Sequence, residues 1–116
     1  MSSAEGVIPL CSLDDIGEGR IGSAVLPDGR RVAVYLVDGR AHATDDRCTH
    51  GESSLADEGW LDGHVVECGR HMGTFDVRTG QPLGPPCTKA LRTYPVEIHA
   101  GQVMLARPAL PGGGEA

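Results

Sequence analysis

The sequence predicts an all-β protein: a small antiparallel β-sandwich or barrel with an inserted subdomain at one end. Three observations lead there. Short runs rich in β-branched residues alternate closely with turn dipeptides. Seventeen glycines and eight prolines favour turns and short strands over helices. No window of convincing length carries a helical period.

Taken in order, Val7-Ile8-Pro9-Leu10 reads as an edge strand, because Pro9 cannot donate to a ladder. Ser12-Leu13-Asp14-Asp15-Ile16 reads as a turn, or one helical turn capped by Ser12. Ile21 to Leu26 is a strand, and Pro27-Asp28-Gly29-Arg30 a turn. Arg31 to Val37 is a β-branched run, and Asp38-Gly39 signals a hairpin into Arg40–Thr44. Leu61 begins a strand that Asp62-Gly63 turns, and His64-Val65-Val66-Glu67 leads straight into Cys68. Thr74-Phe75-Asp76-Val77 is a strand closed by Arg78-Thr79-Gly80-Gln81. A last hairpin is expected from Leu91–Ile98, a turn at His99-Ala100-Gly101, and Gln102–Ala106. There is no internal repeat. One domain is expected over residues 1–110, with its inserted subdomain at about 45–86 and a disordered tail at 111–116.

The insert carries the chemistry. Cys48-Thr49-His50 is followed by seventeen residues and then Cys68-Gly69-Arg70-His71, giving C-x-H and C-x-x-H. One residue between Cys48 and His50 is too few for both to grip one tetrahedral ion easily, but enough to grip two adjacent ions. Cys68 and His71 can do the same from the other side. With Cys48 and Cys68 on one iron and His50 and His71 on the other, the set suits a [2Fe–2S] cluster in which two His replace two Cys. A Cys₂His₂ zinc site is the rival reading, although zinc sites usually pair like ligands and both pairs here are mixed. Four unrelated polar residues are a third reading. Gly51, Gly69 and Gly73 flank the ligands, where backbone must approach the cluster sulfurs and positive φ is useful.

Cys48-Thr49-His50 with Cys68-x-x-His71 resembles the Rieske signature. Thr74 to Gly80, Pro85-Pro86 and Leu91-Arg92-Thr93-Tyr94-Pro95-Val96 extend the likeness to the small Rieske ferredoxins that serve aromatic-ring-hydroxylating dioxygenases of the biphenyl, naphthalene and carbazole type. The resemblance spans roughly residues 7–107. It implies the Rieske fold, His50 and His71 bound through Nδ1 with their Nε2 edges at the docking tip, and Gly84-Pro85-Pro86 as a third loop over the cluster. The family usually has Pro directly after the second ligand Cys, where this chain has Gly69. High-potential Rieske proteins carry a disulfide between the loops and two hydroxyls at the cluster sulfurs. The matching positions here are Ser53 and Arg70, and Gly73 and Phe75, so neither feature is present. A potential at the low end of the Rieske range, near about −150 mV, is therefore expected.

The resemblance implies a one-electron carrier rather than an enzyme. It would draw electrons from a flavin-containing NAD(P)H-dependent ferredoxin reductase and pass them to a terminal oxygenase holding its own Rieske centre and mononuclear iron. No nucleotide loop or nucleophile–base pair competes for a chemical role. The other readings are a small Rieske subunit of a multi-subunit oxidoreductase and a zinc-binding interaction module. A net charge of −6 with no basic run argues against nucleic acid, and no run approaches the ~20 apolar residues of a membrane span. No signal sequence is evident, so a cytoplasmic monomer is expected. Cys11 and Cys87 have no His at ligand spacing and read as structural or incidental. His42, His64 and His99 read as surface histidines without partner spacing. Asp45, Asp46 and Arg47 either fix the approach to the first ligand loop or are merely solvated. Glu52, Asp57, Glu58 and Asp62 form an acidic set placed near the cluster tip, either to meet a basic partner or as a solvated face.

Overall fold

The computed structural model describes residues 8–47, 53–69, 73–84 and 89–106. The expected tail at 111–116 lies outside them, as do Cys48, His50, His71 and Cys87. Among the described residues eleven strands form three antiparallel sheets, and none of these sheets closes into a barrel.

The base has two sheets. In the first, β1 (Ile8–Ser12) pairs with β11 (Gln102–Leu105), which pairs with β10 (Val96–His99). Pro9 lies on the edge strand, as expected, and the register shifts between Pro9 and Cys11. Ser12 caps a 3₁₀ turn at Leu13–Asp15 by accepting the Asp14 N–H. The second base sheet runs β2 (Ile21–Val25), β3 (Arg31–Val37), β4 (Arg40–Asp45), β9 (Thr93–Tyr94). The β3–β4 hairpin turns at Asp38 (φ 53°) and Gly39 (φ 78°), two left-handed residues that suit the twist of the flanking strands.

The expected strand Leu91–Ile98 is instead two strands in two sheets. Tyr94 pairs with Ala43 of β4, whereas Val96 pairs with Leu105 of β11. Pro95 stands between them. It has no N–H to continue a ladder, so the chain changes sheets at that residue.

The third sheet is the insert: β5 (Trp60–Asp62), β6 (Val65–Glu67), β7 (Thr74–Asp76) and β8 (Pro82–Gly84), in that order. Its strands are shorter than the sequence suggests, and Val77, expected in β7, falls in the following turn. One helical turn, α1 (Leu55–Glu58), precedes it, capped by Ser54 Oγ accepting the Asp57 N–H.

Every residue from Val32 to Val37 is buried, because β3 has core on both faces. Val32, Val34 and Leu36 pack with Ala43, Tyr94, Val103 and Leu105 between the base sheets. Ala33 and Tyr35 face the other way and pack with Leu55, Val66, Cys68, Phe75, Val77 and Leu91 against the insert. Tyr35 Oη and Thr44 Oγ1 hydrogen-bond at 2.8 Å inside this second core. That satisfies two buried hydroxyls and contributes about 1 kcal/mol net.

Candidate metal centre

Of the four sequence-derived ligands, Cys68 is the one the described residues include. It follows the last residue of β6 and is completely buried, among Leu55, Val66 and Phe75. Its backbone N–H donates to the Gly73 carbonyl at 2.7 Å. That bond closes the segment containing His71 at its root.

The segment containing Cys48 and His50 is closed in a comparable way. Arg47 and Ser54 form an antiparallel bridge across it. Just outside that bridge the Asp46 carbonyl accepts the Leu55 N–H at 2.7 Å, and Asp46 Oδ1 accepts the Ala56 N–H at 2.8 Å. Asp46 is only 4% exposed, and Oδ2 lies 3.3 Å from Arg31 Nη1. Arg31 also forks onto both carboxylate oxygens of Asp57 at 3.1 Å. This bidentate pair pushes the Asp57 pKa below the ordinary carboxylate range, the hydrogen bond from Arg31 being the main cause. Asp45, Asp46 and Arg47 thus fix the approach to the loop. Asp57 is tied to the base sheet by its pair with Arg31 while its side chain stays exposed. Glu52 lies outside the described residues.

α1 joins the two roots. Leu55 packs against Cys68 in one core, and Gly69 rests on the Glu58 carbonyl so closely that a Cβ there would come within 2.0 Å of its oxygen. Gly69 does not have the positive φ expected of it, and its contact is to protein backbone. Gly51 is outside the described residues.

Two histidines expected to be unpartnered meet. The rings of His42 on β4 and His64 before β6 are 5.7 Å apart at 78°. Sequence separation hid this pair, since only the stacking of the insert on the base sheet brings them together. His99 is exposed and bonded to Glu97 at 2.7 Å. Cys11 is half-buried on β1, and burial pushes its thiol pKa up, with Asp15 adding to the effect. Neither Cys11 nor Cys68 is in a disulfide.

The described residues suit a bound iron–sulfur group. A buried sulfur donor without a disulfide stands at the root of one closed segment. In the other, Ser53 Oγ is buried with no hydrogen-bond partner among the described residues, leaving a donor with spare capacity. Cys and His donors together suit iron that is shared between sulfide and imidazole.

Comparison with known proteins agrees. Residues 6–95 match the family described as the Rieske [2Fe-2S] domain. The chain is 46% identical over 105 residues to the ferredoxin component of the p-cumate 2,3-dioxygenase system of Pseudomonas putida, covering 90% of this chain and 89% of that one. It is also 46% identical to the biphenyl dioxygenase ferredoxin subunit of Pseudomonas sp. strain KKS102, covering 82% and 86%. Among solved structures it is similar to the Sphingomonas yanoikuyae B1 ferredoxin, with a TM-score of 0.80, 38% identity and coverage of 87% and 98%. A ferredoxin chain in a complex of reduced oxygenase and oxidised ferredoxin of carbazole 1,9a-dioxygenase gives a TM-score of 0.80 and 38% identity, covering 91% and 98%. With its fold in agreement with that match, the chain belongs to the Rieske [2Fe-2S] domain family.

Proposed function

We propose that this chain is the ferredoxin of an aromatic-ring dioxygenase system. It carries one electron at a time from a flavin-containing, NAD(P)H-dependent reductase to a terminal oxygenase and is not itself an enzyme. Cys48 and Cys68 would hold one iron of a Rieske [2Fe–2S] cluster, and His50 and His71 the other. Residues 1–110 form one domain in this reading, with the cluster-binding subdomain at about 45–86. The observation that carries it is Cys68: a buried thiol at the end of β6, within a segment closed by its own backbone. Relatives named as ferredoxin components of the p-cumate and biphenyl systems support the rest.

When bound, the cluster supplies a reversible one-electron couple. The protein holds its ligands still. Leu55, Val66 and Phe75 pack around Cys68 and exclude water from it, which keeps the thiolate in a low-dielectric setting. Asp46 and α1 fix the root of the first segment, and Gly69 and Gly73 that of the second. A monomer in a reducing cytoplasm fits a carrier whose Cys68 must remain available as a thiolate. Among the described residues no helix is long and apolar enough to cross a membrane.

The test is electron paramagnetic resonance after dithionite reduction. A rhombic signal with an average g below that of all-Cys [2Fe–2S] centres is expected. A colourless protein that holds zinc and cannot be reconstituted with iron and sulfide would overturn the proposal.

A further inference from the structure

Trp60, the single tryptophan of the chain, is 71% exposed. A tryptophan buries more apolar surface than any other side chain when it is covered, so an indole left in water on a rigid strand is unusual. It lies on β5, an edge strand of the insert sheet. Its cross-strand partner is Glu67, the residue before Cys68. Asp62, two residues along β5 and exposed, points to the same face. Glu58 is exposed at the end of α1. The indole also walls a groove with Ile21, Ala56, Gly59 and Leu61, in which Arg20 supplies a positive charge.

This arrangement disfavours a second copy as occupant, because chains of net charge −6 would bring like charges together. It favours a basic side chain that stacks on the indole over the strand face that Asp62 and Glu67 share with it. Glu67 of β6 immediately precedes Cys68, so this face adjoins the root of the segment that contains Cys68 and His71. We propose that Trp60, framed by Asp62 and Glu67, is a docking face for the terminal oxygenase and receives an Arg or Lys of that protein on its ring. This rests on the electron-carrier reading above.

The experiment follows electron transfer by stopped flow from the reduced holoprotein to two oxidised probes, the oxygenases of the carbazole 1,9a-dioxygenase and p-cumate 2,3-dioxygenase systems. Trp60→Ala should lower the second-order rate about tenfold, leaving the saturating rate, the EPR signal and the potential unchanged. Trp60→Phe, which keeps a π face, should recover most of the loss. Asp62→Lys, at an exposed position, should lower the rate at low salt and flatten its salt dependence without disturbing the ring. If the native protein reduces the oxygenases and both Trp60→Ala and Asp62→Lys stay within twofold of it, the docking face is wrong and the carrier function stands. If the native protein reduces neither oxygenase, the carrier reading falls and the docking face falls with it.

Discussion

His42 and His64 meet edge to face across the junction of the base and insert sheets, their rings 5.7 Å apart. His42 Nε2 is buried with no hydrogen-bond partner among the described residues. Burial holds the His42 pKa below its ordinary 6.5; His64, Arg78 and Arg40 lower it further, and Asp76 opposes them. The folded protein therefore keeps His42 neutral at pH values where the unfolded chain has already taken a proton. The His42 contribution is complete above about pH 6.5 and is lost as pH falls toward the lower folded-state value. Thermal melts of the holoprotein between about pH 7 and about pH 5 should fall more steeply for native protein than for His42→Gln. Parallel curves would show that His42 does not sense protons.

Asp46 anchors the root of the segment that contains Cys48 and His50. Asp46→Ala would remove the acceptor for the Ala56 N–H and the buried partner of Arg31. Leaving the amide unpaired costs about 1–3 kcal/mol. Urea unfolding of the holoprotein should show that loss, together with faster release of iron to a chelator. An unchanged midpoint would place the anchor elsewhere.

Gly69 has the opposite vulnerability, since it has no room for a side chain. A Cβ would lie 2.0 Å from the Glu58 oxygen and 3.2 Å from Glu58 Cβ. Gly69→Ala should lower stability by ~2 kcal/mol through overpacking and reduce cluster content. Gly69→Pro, although it restores the residue usual in the family, should do no better here because proline also carries a Cβ. Cluster content per protein, read from visible absorbance and iron analysis, decides it. Full occupancy in either variant would mean that α1 can yield.

The residues that raise the potential of other Rieske centres are missing at Ser53, Arg70, Gly73 and Phe75. Phe75 is completely buried in the insert core, with no hydroxyl to offer. Protein-film voltammetry near neutral pH should give a potential near about −150 mV. A value above zero would mean that other donors act on the cluster.

How much of this could be read from sequence depended on the range of the interaction. Asp38-Gly39 announced its hairpin, Ser12 its cap and Pro9 its edge, because each works through neighbouring backbone. Pro95 carried a readable signal as well, but the sequence does not say which two sheets it separates. α1 was invisible to a periodicity argument, since Leu55–Glu58 is too short to show a period. Asp46 looks like any polar loop residue. Its burial follows from Arg31 and Ala56, which reach it from distant elements. At the site, residue types and spacing proposed Cys48, His50, Cys68 and His71, of which the described residues include Cys68, buried at the end of β6. The packing of Leu55 against Cys68, and of Gly69 against Glu58, required the fold.

The chain leaves the base sheet at Asp45, whose N–H donates to the Arg92 carbonyl at 2.9 Å, and rejoins it at Thr93, opposite Thr44. Departure and return occupy neighbouring rungs. Whatever is threaded between them adds little strain to the sheet, and lengthening such a detour costs only slowly growing closure entropy. The insert thus enters and leaves the sheet at a single seam, and the core around Ala33 and Tyr35, together with Arg31, holds it down on β3. A length change within it therefore leaves the register of the sheet beneath intact where it spares the residues packed on Ala33 and Tyr35.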